Sequence, residues 1–219
     1  MWELPLSADG MVMELENGLH VRVRPIRSSD AEELQHTYDE LSPESRYYRF
    51  FTARPRMPLP MAKRLTNIDH AHHFAWVVFD VDIEGDHHDD HAVAAARMIL
   101  DEDPTSAECA ITVIDQYHHR GIGRFLIELL VCTAADLDIE VLRFDVLRDN
   151  HKMRQLMGGT GASAAGVPGD PGIVEFKLAV PPADTLEVAA GNLYRLLRHI
   201  ADEEADTESS PDDAASDQG

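Results

Sequence analysis

The chain has 219 residues, 44% of them hydrophobic, a formal net charge of −21 and a pI near 4.7. That length and apolar content suffice for one good-sized domain plus a tail, while such acidity excludes DNA, RNA or an anionic membrane as the main partner, since those need a basic footprint. A cationic partner, such as an amine or a lysine-rich protein surface, suits the charge, although acidity that only keeps a chain soluble has the same sign.

Residues 1–14 read as an N-terminal arm, loosely held as far as Glu16. No basic start followed by an apolar stretch marks Met1 to Asn17, and no run reaches transmembrane length. His20 to Arg24 alternates as a strand and stops at Pro25. Ser29 and Glu32 have capping-box spacing, and Leu34, Tyr38 and Leu41 continue a helical apolar face. Ser42-Pro43 starts a short helix with proline at its first position. Arg54 to Pro60 breaks it, and Met61 to Asn67 forms another short helix. Phe74 to Val81 reads as a buried strand, Ile83 to His91 as a polar hairpin loop, and Ala92 to Leu100 as the partner strand. Glu108 to Ile114 is the next strand, and Gly121 to about Asp136 the central helix.

Val141 to Leu147 is a further strand, followed by a helix from Asn150 to Met157. Gly158 to Gly172 is rich in Gly, Ala and Pro and reads as a loop. Ile173 to Val180 is the last strand, and the domain spans 15–182. Residues 183–201 keep helical spacing at Leu186, Ala190, Leu193, Leu197 and Ile200, an amphipathic helix for packing on the domain or on a second subunit. From Asp202 to Gly219 the chain is acidic and polar with no basic residue, and reads as a disordered tail. Cys109 and Cys132 fall in core elements, so a reducing cytoplasm is expected rather than a disulfide scaffold.

The most informative stretch is Ala107 to Leu130, AECAITVIDQYHHRGIGRFLIELL. A strand feeds a turn with Gly121 and Gly123, and a helix begins at once. Unpaired N–H groups at a helix start, together with the helix dipole, attract an anion. Arg120 and Arg124 add charge, and a pyrophosphate is the ligand this arrangement suits. No Gly-Lys-Ser/Thr follows, so this is not the phosphate loop of nucleotide hydrolases, and no third glycine completes a dinucleotide fingerprint.

These residues resemble the acetyl-CoA motif Gln/Arg-x-x-Gly-x-Gly/Ala of the GNAT N-acetyltransferase superfamily, here His118, His119, Arg120, Gly121, Ile122 and Gly123. His118 departs from the motif's Gln/Arg. HVRVRPIRSSDAEEL at His20 to Leu34 looks like the family's first strand and helix, and VLRDNHKMRQL at Val146 to Leu156 like its fifth strand and following helix. LSPESRYYRFF at Leu41 to Phe51 resembles a bacterial subgroup that includes protein-lysine acetyltransferases. The resemblance implies an α/β fold with a mixed central sheet, splayed between its fourth and fifth strands and flanked by helices. It implies acetyl-CoA as co-substrate, with pyrophosphate on His119 to Arg124, pantetheine along Thr112, Val113 and Ile114, and a contact from Asn150. The acceptor it implies is a protein lysine, with a small amine (polyamine, amino sugar or antibiotic) as the alternative. An idle acyl-CoA-binding module is the rival of another class.

Transfer to an amine needs a neutral nucleophile. A lysine with a pKa near ~10.4 is uncharged in only about one molecule in ~2,500 at pH 7. Glu108 is the candidate general base. It shares a strand face with Ala110, Thr112 and Ile114, and the resemblance places a base Glu in the matching Ala-Glu-x-Ala segment. Many family members carry a Tyr after the motif's Asn as general acid. Here His151 to Leu156 contains none, so the acid is unassigned. Cys109 falls on the opposite face from Glu108. Tyr47, Tyr48, Phe50 and Phe51 either pack on the sheet or line an acceptor channel. The histidines at His70, His72 and His73, and those at His87, His88 and His91, are read as hydrophilic loop residues rather than metal ligands.

Overall fold

The computed structural model describes residues 10–15, 17–52, 54–81, 91–183 and 185. The hairpin loop tip, the C-terminal helix from Leu186 and the acidic tail lie outside the described residues. Eight strands form one mixed sheet. They are β1 (Met11–Glu14), β2 (His20–Pro25), β3 (His73–Asp80), β4 (His91–Leu100), β5 (Ser106–Val113), β6 (Val141–Leu147), β7 (Ser163–Val167) and β8 (Asp170–Ala179). Their spatial order is β1-β2-β3-β4-β5-β6-β8-β7. Five helices flank the sheet: α1 (Ala31–Glu40), α2 (Pro43–Phe50), α3 (Leu59–Thr66), α4 (Ile122–Asp136) and α5 (His151–Gly158).

All strand pairs are antiparallel except β5–β6. Those two run parallel and pair at three positions only: Ser106 with Val141, Ala107 with Leu142 and Glu108 with Arg143. Beyond Glu108 they diverge, while β5 stays paired to β4 as far as Val113. This is the splay expected between the family's fourth and fifth strands; the additional strand β1 shifts the count by one.

β5 alternates, so Cys109 points into the main core while Glu108 is exposed on the other face. The core is densest under α4, where Ile122, Leu126, Leu129 and Leu130 are fully buried and pack with Met98, Leu142 and Phe144. Ten of its fifteen residues are buried, which is the signature of a core helix rather than a surface one.

Three sequence expectations are corrected, and one left open is divided. Met11–Glu14, assigned to the arm, is an edge strand, with Met11 and Met13 buried and Val12 exposed. Helix α1 does not start on a Ser29–Glu32 capping box. A 3₁₀ turn at Ser28–Asp30 precedes it, and the Asp30 carboxylate accepts from the Arg27 N–H and from both Nη atoms of Arg24. The Gly158–Gly172 loop contains β7 and the start of β8. Its residues are small and exposed because β7 is a sheet edge, so no apolar alternation announces it, and Gly169 at φ +86° closes the hairpin. Among the four aromatics, Phe50 packs on Tyr38 at 5.2 Å, but Tyr47 and Phe51 are exposed.

Candidate active site

A cavity of about 930 Å³ opens where β5 and β6 part. Glu108, Thr112, Val113, His119, Gly121, Gly123, Arg124 and Asn150 all line it. Sequence reasoning placed each of these in the site, and the fold brings them to one space. Ile114 and Ile122 are fully buried core residues, so contact with a ligand would come through their backbone. Arg120 lies with its guanidinium 4.9 Å above the Tyr117 ring.

The turn before α4 is built by two left-handed residues, His119 at φ +61° and Gly121 at φ +78°. Gly121 is the N-cap, and no side chain caps the helix. The first intrahelical bond runs from the Phe125 N–H to the Gly121 carbonyl, so the N–H groups of Ile122, Gly123 and Arg124 have no partner within the helix. A Cβ on Gly121 would meet nothing within 4 Å, so this glycine is required by its backbone angle. Gly123 is different: a Cβ there would come within 3.0 Å of Leu156 Cδ2 on α5. It permits helix contact as well as ligand approach.

His118 explains its own departure from the motif. Its Nε2 lies 3.0 Å from the Val113 carbonyl, and its Nδ1 lies 3.2 Å from Lys152 Nζ. A carbonyl only accepts and an ammonium only donates, so the pattern assigns the proton to Nε2. The imidazole caps the end of β5 and holds a lysine at the cavity wall. Sequence reasoning passed over Lys152 because it is linked to His118 only through the fold. Asn150 caps α5 by accepting from the Met153 N–H at 3.0 Å, which leaves its amide NH₂ for a ligand.

The other end of the cavity is formed by Glu44, Tyr48, Arg49, Phe51 and Glu108. The Tyr48 hydroxyl lies 3.0 Å from Glu44 Oε1 and 3.2 Å from the Asp149 carbonyl, tying α2 to the start of α5. Burial, and then Glu44, push its phenol up. Arg49 is half-buried, its Nε inaccessible and without a hydrogen-bond partner. Burial pushes Arg49 down to about 10, and the Glu108 carboxylate acts in the opposite sense. Burial likewise pushes the Cys109 thiol far up, so it is an inert core residue. Among the described residues no group of His, Cys, Asp and Glu is arranged to hold a metal ion. No helix among them is long and apolar enough to cross a membrane.

A sequence model described as the acetyltransferase (GNAT) family matches residues 32–158. The chain belongs to the GNAT family. It has the fold of an acetyltransferase domain, in a family whose co-substrate is acetyl-CoA. Over 175 residues it is 32% identical to Acetyltransferase Pat of Mycolicibacterium smegmatis, covering 80% of this chain and 50% of that protein. The chain thus spans about half the length of that relative. Acetyltransferase PA5475 of Pseudomonas aeruginosa is 26% identical over 175 residues, covering 80% of this chain and 92% of that protein. The GNAT domain of S. lividans PAT superposes with a TM-score of 0.70 at 25% identity, covering 79% of this chain and 98% of that one. Spermidine N-acetyltransferase from Vibrio cholerae, solved with CoA and spermine, shares the fold at a TM-score of 0.58 and 17% identity, covering 73% of this chain and 95% of that one.

Proposed function

We propose that this acetyltransferase modifies a lysine side chain of a protein, with Glu108 as general base. The observation that carries the reading is the placement of Glu108. It is the last residue of β5 paired to β6, it is exposed, and it lines the same cavity as the glycine turn. Pyrophosphate on the turn at His119 to Arg124 and pantetheine along the unpaired edge of β5 lead the thioester toward that point. Strand-like hydrogen bonds suit an extended pantetheine. An N–H in the Thr112 to Ile114 segment would polarise the thioester carbonyl. The amine nitrogen then bonds to the carbonyl carbon and the C–S bond breaks. Glu108 takes the amine proton, directly or through water, and the departing thiolate takes up a proton from Glu108 or solvent. A thiol near pKa ~8.5 leaves without a dedicated acid, which fits the lack of a tyrosine after Asn150.

The acceptor class is supported by the resemblance of Leu41 to Phe51 to protein-lysine acetyltransferases, by the likeness to Pat, and by a net charge of −21 that favours a basic protein surface. Turnover is measured with lysine peptides, polyamines and aminoglycosides. Lysine peptides are expected to react best, and turnover confined to small amines overturns the acceptor. Glu108→Gln is expected to lower kcat by roughly 10²–10⁴-fold with little change in acetyl-CoA affinity. An undiminished rate across pH 6 to 9 removes Glu108 from the mechanism.

A further inference from the structure

Arg143 is the residue of β6 that stands beside Glu108. The two are partners in the parallel register, on strands about 5 Å apart, and so project from the same face of the sheet. Opposite charges placed side by side on a sheet attract each other. The Arg143 guanidinium turns elsewhere. Its Nε donates to Asp101 Oδ2 at 2.9 Å and its Nη2 to Oδ1 at 2.6 Å, a two-pronged pair, while Nη1 donates to Glu175 Oε2 at 3.2 Å. All three nitrogens are engaged away from Glu108. Among the described residues of β6, Phe144, Asp145 and Val146 line the cavity and Arg143 does not. The Asp101 carboxylate is itself fixed from behind. The Ser106 hydroxyl donates to Oδ2 at 2.6 Å, and the Asp101 N–H donates to the Ser106 carbonyl at 2.9 Å.

We infer that Asp101 is a positioning residue that draws Arg143 away from Glu108 and so leaves the base open to the acceptor amine. A plain strut between the β4–β5 turn and β6 is the simpler account, but that turn is already fastened by backbone. The N–H groups of Glu140 and Val141 both donate to the Thr105 carbonyl, at 2.8 and 3.1 Å. A partly exposed ion pair adds little stability to such a junction. Its geometry has a sharper effect on the neighbour. A guanidinium laid on Glu108 would hold the carboxylate oxygens that have to receive the amine proton, through bonds that are charge-assisted and two-pronged. Asp101 takes up that same edge of the guanidinium, Nε with Nη2, and Glu175 keeps one further nitrogen while also binding Lys177 at 3.1 Å. Without Asp101, the Nε and Nη2 edge is released next to the register partner of Arg143, which is Glu108.

This inference deepens the proposed role of Glu108 and rests on it. The test is acetyl transfer by the full chain from acetyl-CoA to a lysine peptide. Asp101→Asn is expected to lower kcat/KM roughly 10- to 100-fold, the range for one charge-assisted bond laid on the base, with acetyl-CoA affinity by calorimetry unchanged. Arg143→Met alone should keep the wild-type rate. Asp101→Asn combined with Arg143→Met should recover it, because no guanidinium is left to turn, whereas a merely structural loss would persist. In a Glu108→Gln background, Asp101→Asn should cost little further. An undiminished rate in Asp101→Asn, a double variant as slow as Asp101→Asn, or a loss in Arg143→Met alone overturns the inference. Failure of both Asp101→Asn and Asp101→Ser to fold also overturns it, since the role is then structural. Glu108→Gln separates the two readings. If it keeps the wild-type rate, the base assignment falls and Asp101 with it. If it loses the rate while Asp101→Asn keeps it, only the role of Asp101 falls.

Discussion

The hydroxyl of Ser42 donates to Asp115 Oδ1 at 2.9 Å, and the backbone N–H of the same serine donates to Oδ2 at 2.9 Å. Ser45 adds a third bond from its hydroxyl at 2.9 Å. One carboxylate at the end of β5 thus fastens the first turn of α2, the helix that carries Arg49. Asp115→Ala should lower stability by about 2 kcal/mol, because it leaves three donors unmatched around a half-buried site, and Asp115→Asn should cost less. Burial alone would raise the Asp115 carboxyl, but the bonds from Ser42 and Ser45 outweigh it and hold it below the usual range. A lowered carboxyl stabilises fully above its unfolded value and stops doing so as pH falls through the folded one. The difference in melting temperature between wild type and Asp115→Ala should therefore shrink in strong acid.

The two turn glycines should respond differently. Gly121→Ala meets no atom but must hold φ +78°, at a cost of about 1 kcal/mol. Gly123→Ala presses on Leu156, so Leu156→Ala should relieve it, and a double-mutant cycle should show coupling for Gly123 and none for Gly121. Gly123→Glu adds bulk and negative charge at the turn and should abolish acetyl-CoA binding with the fold intact. Near-normal affinity by calorimetry would contradict the anion site.

Lys152 is held at the cavity wall by His118. If the turn binds pyrophosphate, Lys152→Met should weaken acetyl-CoA binding about tenfold and reduce its salt dependence, with kcat nearly unchanged. His118→Phe should reproduce part of that loss, because the ammonium loses its guide.

Burial, with Arg97 beside it, pushes His73 down to about 4. Between that value and about 6.5, the unfolded chain binds a proton that the folded chain refuses. Stability should fall as pH drops from about 6.5 through 4 and be flat with respect to this group above about 6.5. Thermal melting of His73→Asn across that window should show a smaller decline than wild type. An identical decline would place the acid sensitivity elsewhere.

Local signals carried most of the fold. Ser42-Pro43, the buried apolar runs of β3 and β4, and the strand–glycine–helix run each state one element in adjacent residues, and each forms near the expected place. β7 was hidden because an edge strand of Ser, Ala and Gly has no buried face to write into its sequence. Start signals misled at α1, where Asp30 spends its carboxylate on Arg24 instead of on a helix cap. At the site, Glu108 and the glycine turn were legible because they lie on one stretch of chain. Lys152 was not, since it acquires its meaning from His118, about 30 positions away.

The three-position seam between β5 and β6 also makes a forecast about amide hydrogen exchange. Amides of β5 alternate in direction, one row toward β4 and the other toward β6. From Cys109 to Val113 the row facing β4 is locked in the sheet, and the row facing β6 has no strand to bond. Neighbouring residues of a single strand should therefore exchange at two very different rates, in alternation. Acetyl-CoA laid along that edge would close the gap and bring the fast row toward the slow one, residue by residue, as an added strand would.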